Sequence, residues 1–217
     1  MKKNQKIKLI IETLEKLYPN PPVPLKHVNN FTLLIAVLLS AQSTDKKVNE
    51  LTPELFKKAS DPKNMFLLGE SEIFSKINKL GLAKQKAKNI YKLSSILHNI
   101  YSDKVPDSFC ELESLPGVGH KTASIVLAQA YGIPTFPVDT HIHRLAQRWE
   151  ITNGLNVKQT EKDLKRIFPK DKWNTLHLQI IFYGREYCTA KGCNGTICPL
   201  CKTLFPKRRK PVIHRKA

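Results

Sequence analysis

The chain has 217 residues, enough for one large domain or two small ones. Apolar residues make up 41% of it, ample for a packed core, which excludes a wholly disordered polyelectrolyte. Lysine and arginine number 36 against 18 acidic residues, a formal charge of +18 that points to a polyanionic partner, most commonly nucleic acid.

Helical spacing dominates from the first residues. Ile7, Ile10, Ile11, Leu14, Leu17 and Tyr18 recur at intervals of three and four and predict an amphipathic helix over 5–18. The run from Pro19 to Pro24 stops it and acts as a stiff connector. The most apolar stretch, Phe31 to Ser40, predicts a buried helix over 30–41. It is too short to cross a bilayer, which takes about 20 residues. With no secretory pattern after Met1-Lys2-Lys3, the expectation is a cytosolic protein that meets no membrane. Asp45 is expected to cap a helix carrying Val48, Leu51 and Leu55. Residues 71–79 and 83–99 give two more helices, broken at Gly81.

Next comes Leu115-Pro116-Gly117-Val118-Gly119-His120-Lys121-Thr122, flanked by helical patterns at 111–115 and 121–131. Glycines at 117 and 119 can take backbone angles that other residues resist. The amides of the turn and of the second helix's first residues then suit a phosphate oxygen, a contact that holds backbone and reads no sequence. Residues 134–138 are β-rich but isolated, and Asp139 precedes a helical run over 140–149. Helices over 158–167 and 173–186 complete the set.

Four of the five cysteines, Cys188, Cys193, Cys198 and Cys201, crowd into fourteen residues. In a reducing compartment such a cluster favours a metal over disulfides. Cys110 stands apart and is expected to be a buried or half-buried thiol. The tail from Pro206 to Lys216 carries six basic residues in eleven and is expected to be solvated and disordered.

These motifs, in this order, resemble the endonuclease III family of helix-hairpin-helix DNA glycosylases. The resemblance runs over nearly the whole chain: residues 33–45, Gly81-Leu82, Leu115 to Thr122, Val138-Asp139-Thr140-His141, and Gly184-Arg185 leading into the cysteines. It implies an all-α, two-lobed helix-hairpin-helix DNA glycosylase fold with a C-terminal cysteine-ligated cluster loop. One domain would span 23–134; the other would join 1–22 to 135–217.

The activity implied is removal of oxidised pyrimidines from duplex DNA, followed by strand cleavage at the abasic site. Lys121 would attack the sugar as an amine nucleophile, and Asp139 would accept or shuttle its proton. Gly117, Val118 and Gly119 would hold DNA backbone. Gln42 and Leu82 stand where family members fill the gap left by an extruded base. Their plainer readings are a polar helix end and a core leucine. The cysteines would hold a four-iron, four-sulfur cluster (4Fe-4S), pinning a basic loop with Lys191 and Lys202 against phosphates. Their spacing, C-x4-C-x4-C-x2-C, departs from the family's usual C-x6-C-x2-C-x5-C and keeps zinc, or no metal, as alternatives. A monomer is expected. Competing readings are a monofunctional adenine glycosylase relative, which usually lacks a lysine at 121, and a hairpin module that only binds DNA.

Overall fold

The computed structural model describes residues 2–217. Among them are twelve α-helices, one 3-10 turn and no strand. In chain order the helices are α1 (Lys3–Leu17), α2 (Asn30–Ser40), α3 (Asp45–Lys58), α4 (Pro62–Leu68), α5 (Glu70–Ile77) and α6 (Ala83–Asn99). Then follow α7 (Phe109–Ser114), α8 (His120–Tyr131), α9 (Thr140–Arg148), α10 (Val157–Ile167), α11 (Trp173–Glu186) and α12 (Pro199–Leu204). No described helix is long and apolar enough to cross a membrane. The chain divides into two compact units: Val23–Ile133, and the chain up to Pro22 with Pro134–Ala217.

The first unit is built around α2. Asn29 caps it by accepting from the Thr32 amide at 2.9 Å, and every residue from Phe31 to Leu39 is buried. A helix apolar all round is stable only when enclosed. Here α3, α6 and α8 pack on it, joining Val48, Leu55, Ile90, Leu93, Val126 and Leu127 in one core.

The structure departs from expectation at three places in this unit. Thr44, not Asp45, caps α3, because its hydroxyl reaches the Lys47 amide at 3.3 Å; Asp45 is the first helical residue. Helix α4 was not anticipated from its short apolar run, although Asp61 caps it, Pro62 starts it and Gly69 follows it. Cys110 is also a correction: it lies exposed on α7, whose buried residue is Leu112.

The second unit has α9 and α11 at its centre, with α10 against α9 and α1 against α11. Trp149, Tyr183, Leu145, Ile180 and Ile10 fill the core together with the four clustered cysteines. Helix α12 was not anticipated and carries Cys201.

The basic tail is not loose. Arg208 donates to the carbonyls of Arg148 (2.7 Å) and Gly195 (3.1 Å) and lies over the Phe205 ring. The Val212 amide donates to Asn194, and Gln147 pairs with both main-chain groups of Arg215. A charge run is normally solvated because its backbone lacks partners. This one finds them on α9 and on the cysteine loop.

Candidate active site and metal centre

The glycine turn connects α7 to α8. Gly117 has φ +81°, and an added Cβ would sit 2.5 Å from Asn89 Nδ2, so neither the angle nor the space admits a side chain. Val118 is buried, anchoring the turn, while Gly117 and Gly119 are exposed. Gly119 is the N-cap of α8, which leaves the first amides of that helix facing outward. Lys121 is the second residue of α8 and is exposed. Its neighbour His120 stacks on Phe109 and pairs with Glu113 at 2.8 Å, fastening α8 to α7.

Asp139 belongs to the other unit. It caps α9, its Oδ1 accepting from the Ile142 amide at 2.8 Å, and is half-buried. His141 is the second residue of α9. Burial holds its pKa below the ordinary value, with Arg144 and Arg185 acting the same way and Asp139 opposing. An Arg144 Nη contacts His141 Nδ1 at 3.2 Å and donates to the carbonyls of Gly184 and Cys188. Gly184 permits that approach: a Cβ there would meet His141 at 3.2 Å and Arg144 at 3.3 Å.

Gln42 and Leu82 come together in the first unit. Both are non-glycine residues in the left-handed region, at φ +54° and +57°. Each such residue costs roughly 1–2 kcal/mol. A Cβ added at Gly81 would lie 3.4 Å from the Gln42 carbonyl oxygen, so the two loops are in contact. Leu82 is 59% exposed, which removes the core-leucine alternative.

Two groups of functional interest escaped the sequence reading. Lys86 is only 5% exposed and donates to Leu39 O, Ala41 O and Ser43 Oγ. Arg144 and Arg148 are buried on α9 and serve the cysteine loop. The only sequence signal for the pair is two arginines four apart beside Thr140, His141 and Gln147 on α9, and basic residues in such a setting are more often solvated.

The four cysteine sulfurs are buried and lie within 4.8 Å of one another. Cys193 is held below the usual thiol range by hydrogen bonds from Cys188, Cys198 and Cys201, while Cys201 and Cys188 are pushed up. Four thiols this close cannot all ionise without a cation between them, so the group could bind a metal centre. Arg148 donates to Cys188 Sγ at 3.3 Å and to the Thr189 and Ala190 carbonyls, fixing the loop from behind. One tetrahedral ion with metal–sulfur bonds of about 2.3 Å needs sulfurs roughly 3.8 Å apart. A four-iron cluster gives each thiolate a different iron and needs them to spread further.

A glycine hairpin of two helices, a lysine at its mouth and a buried four-thiol cluster define a class, the all-α helix-hairpin-helix proteins with a four-cysteine loop. Comparison with known proteins narrows it. Residues 35–170 match the family described as HhH-GPD superfamily base excision DNA repair protein. Endonuclease III of Bacillus subtilis (strain 168) is 37% identical over 215 residues, covering 97% of this chain and 98% of that protein. Endonuclease III of Treponema pallidum (strain Nichols) is 44% identical over 191 residues, covering 88% and 90%. A solved structure of a trapped endonuclease III–DNA covalent intermediate superposes with TM-score 0.86 at 39% identity, covering 92% of this chain and 94% of that one. The chain belongs to the endonuclease III family of the HhH-GPD superfamily.

Proposed function

We propose that this protein is a bifunctional DNA glycosylase and abasic-site lyase of base excision repair, acting on oxidised pyrimidines in duplex DNA. The observation that carries the reading is Lys121 at the start of α8, directly behind the glycine turn, in a chain of this family. The similar endonuclease III captured as a covalent DNA intermediate supports it.

In this reading the turn at Gly117, Val118 and Gly119 binds phosphate through its amides. The deprotonated Lys121 amine attacks the sugar C1′, the base departs with the C1′–N bond electrons, and the ring opens to a Schiff base. The iminium acidifies C2′. Loss of a C2′ proton expels the 3′ phosphate, and water then releases the amine. Asp139 accepts the lysine proton or returns one later, and its carboxylate offsets positive charge forming on the sugar. Gln42 and Leu82 enter the duplex where the damaged base has left. The site of action is the cytosol, at the nucleoid in a bacterium.

For the cysteine loop we propose a structural 4Fe-4S cluster held by Cys188, Cys193, Cys198 and Cys201. It presents the exposed Lys191 and Lys202 to phosphates. The family supports iron and sulfide; the close sulfur spacing and the altered sequence intervals support a single zinc ion as the second reading. Iron, sulfide and zinc content of purified protein separates the two.

The activity is tested by incubating the protein with duplex DNA bearing thymine glycol or an abasic site and adding borohydride. A covalent adduct that disappears in Lys121→Ala is the expected result. Base release without an adduct would instead identify a monofunctional enzyme, and neither product a binding module.

A further inference from the structure

Lys86 stands out among the lysines because it is buried, and its ammonium bonds to three groups of one short segment. Its ammonium donates to Leu39 O at 2.8 Å, Ala41 O at 2.7 Å and Ser43 Oγ at 3.1 Å. These are the last carbonyls of α2 and the loop that carries Gln42. The end of a helix leaves carbonyls without partners, and water satisfies them at most exposed ends. Here a desolvated cation does so, and its three donors have three acceptors. The backbone of the same residue closes the first turn of α6, its amide donating to Leu82 O at 3.0 Å. One residue therefore brackets both exposed left-handed positions, Gln42 through its side chain and Leu82 through its main chain. The contact of Gly81 with the Gln42 carbonyl completes the brace.

We propose that Lys86 is a positioning residue that fixes Gln42 and Leu82 as a rigid pair for entry into the duplex. This rests on the glycosylase/lyase reading above, in which those two side chains occupy the gap left by the extruded nucleotide. Misplacing such a pair by about 1 Å costs about a hundredfold where the reaction depends on it. Lys86 touches no substrate in this scheme; it sets the place of groups that do. An apolar residue of the same length could pack in the same space but could not bind the α2 carbonyls.

The experiment compares Lys86→Met with the unaltered protein by borohydride trapping on two substrates, an abasic site in duplex DNA and one in a single-stranded oligonucleotide. Only the duplex requires a nucleotide to be turned out and its gap filled. The expected result is a loss of trapping rate on the duplex of about tenfold to a hundredfold, with the single-stranded rate unchanged. Ser43→Ala, which removes one of the three acceptors and little else, is expected to show a smaller loss in the same direction, and serves if Lys86→Met does not fold. A further Lys86→Met change in a Gln42→Ala/Leu82→Ala background is expected to add no duplex loss. Equal losses on both substrates, or none on either, overturn the proposal and leave Lys86 a stability residue. Absence of trapping by the unaltered protein on both substrates overturns the lyase reading and this one with it.

Discussion

Asp139 is an N-cap in the structure and a proton acceptor in the proposed reaction, and one substitution separates the two. As an N-cap it needs only a side-chain oxygen for the Ile142 amide, and asparagine caps as well as aspartate. As a base it needs a carboxylate. Asp139→Asn is expected to keep the thermal midpoint while lowering turnover about 10²- to 10⁴-fold; Asp139→Ala is expected to lose about 1 kcal/mol of stability as well. Unchanged turnover in Asp139→Asn would reduce the residue to a cap. His143 carries a different prediction. It is 1% exposed, bonded to Thr160 Oγ1 at 2.8 Å, and burial holds its pKa below the ordinary 6.5, a main-chain contact at Lys216 opposing. The unfolded chain therefore binds protons first as pH falls. The stability is fully present above the unfolded value and is lost as pH falls from it toward the folded one. Melting curves from about pH 7.5 to 5.5 should show a falling midpoint, with a shallower fall in His143→Gln. Lys121 and Asp139 were legible as candidates because short motifs surround them. Lys86 was passed over: the spacing of Ala83, Ala87, Ile90 and Leu93 puts it on the buried face of α6, but a lysine there gives no sign of the α2 carbonyls that receive it.

Among the elements, the α7–α8 turn and the C-terminal tail are the most open to test. Gly117→Ala meets both a left-handed φ and the Asn89 side chain, so a loss of about 1–2 kcal/mol is expected in denaturant titrations, with weaker DNA binding. Removing residues 206–217 deletes the Arg208, Val212 and Arg215 anchors to Arg148, Gly195, Asn194 and Gln147. The melting temperature should fall; no change would return the tail to the solvated state its composition suggests. The long helices were readable because their apolar periodicity is strong. Helix α4 and helix α12 escaped, since seven and six residues give a periodic pattern too little length to show, and their caps were the only signal. The tail was misread because composition reports solvation cost and not the partners that α9 supplies.

For the molecule as a whole, the net charge of +18 makes affinity an ionic matter. The logarithm of the DNA association constant should fall linearly with that of salt concentration, with a slope of about −0.9 for each phosphate neutralised; a flat response would contradict phosphate contact by the glycine turn and basic loops. Removing the proposed metal with a chelator should leave four thiols in conflict. Hydrogen exchange is then expected to quicken around 188–204 and α9, while the α2-centred unit stays protected.

Taken alone, the sequence determined the helical class, the glycine turn between two helices and the clustering of four cysteines, and it nominated Lys121 and Asp139 as the residues to test. Each is a local matter: periodicity, a turn that needs glycine, thiols clustered along the chain. Only the tertiary structure decided that Leu82 is exposed, that Cys110 is on the surface, that Lys86 braces the α2 end, and that the tail is docked. Those outcomes depend on residues distant in the chain, because burial and hydrogen-bond partnership belong to pairs of segments that the fold brings together.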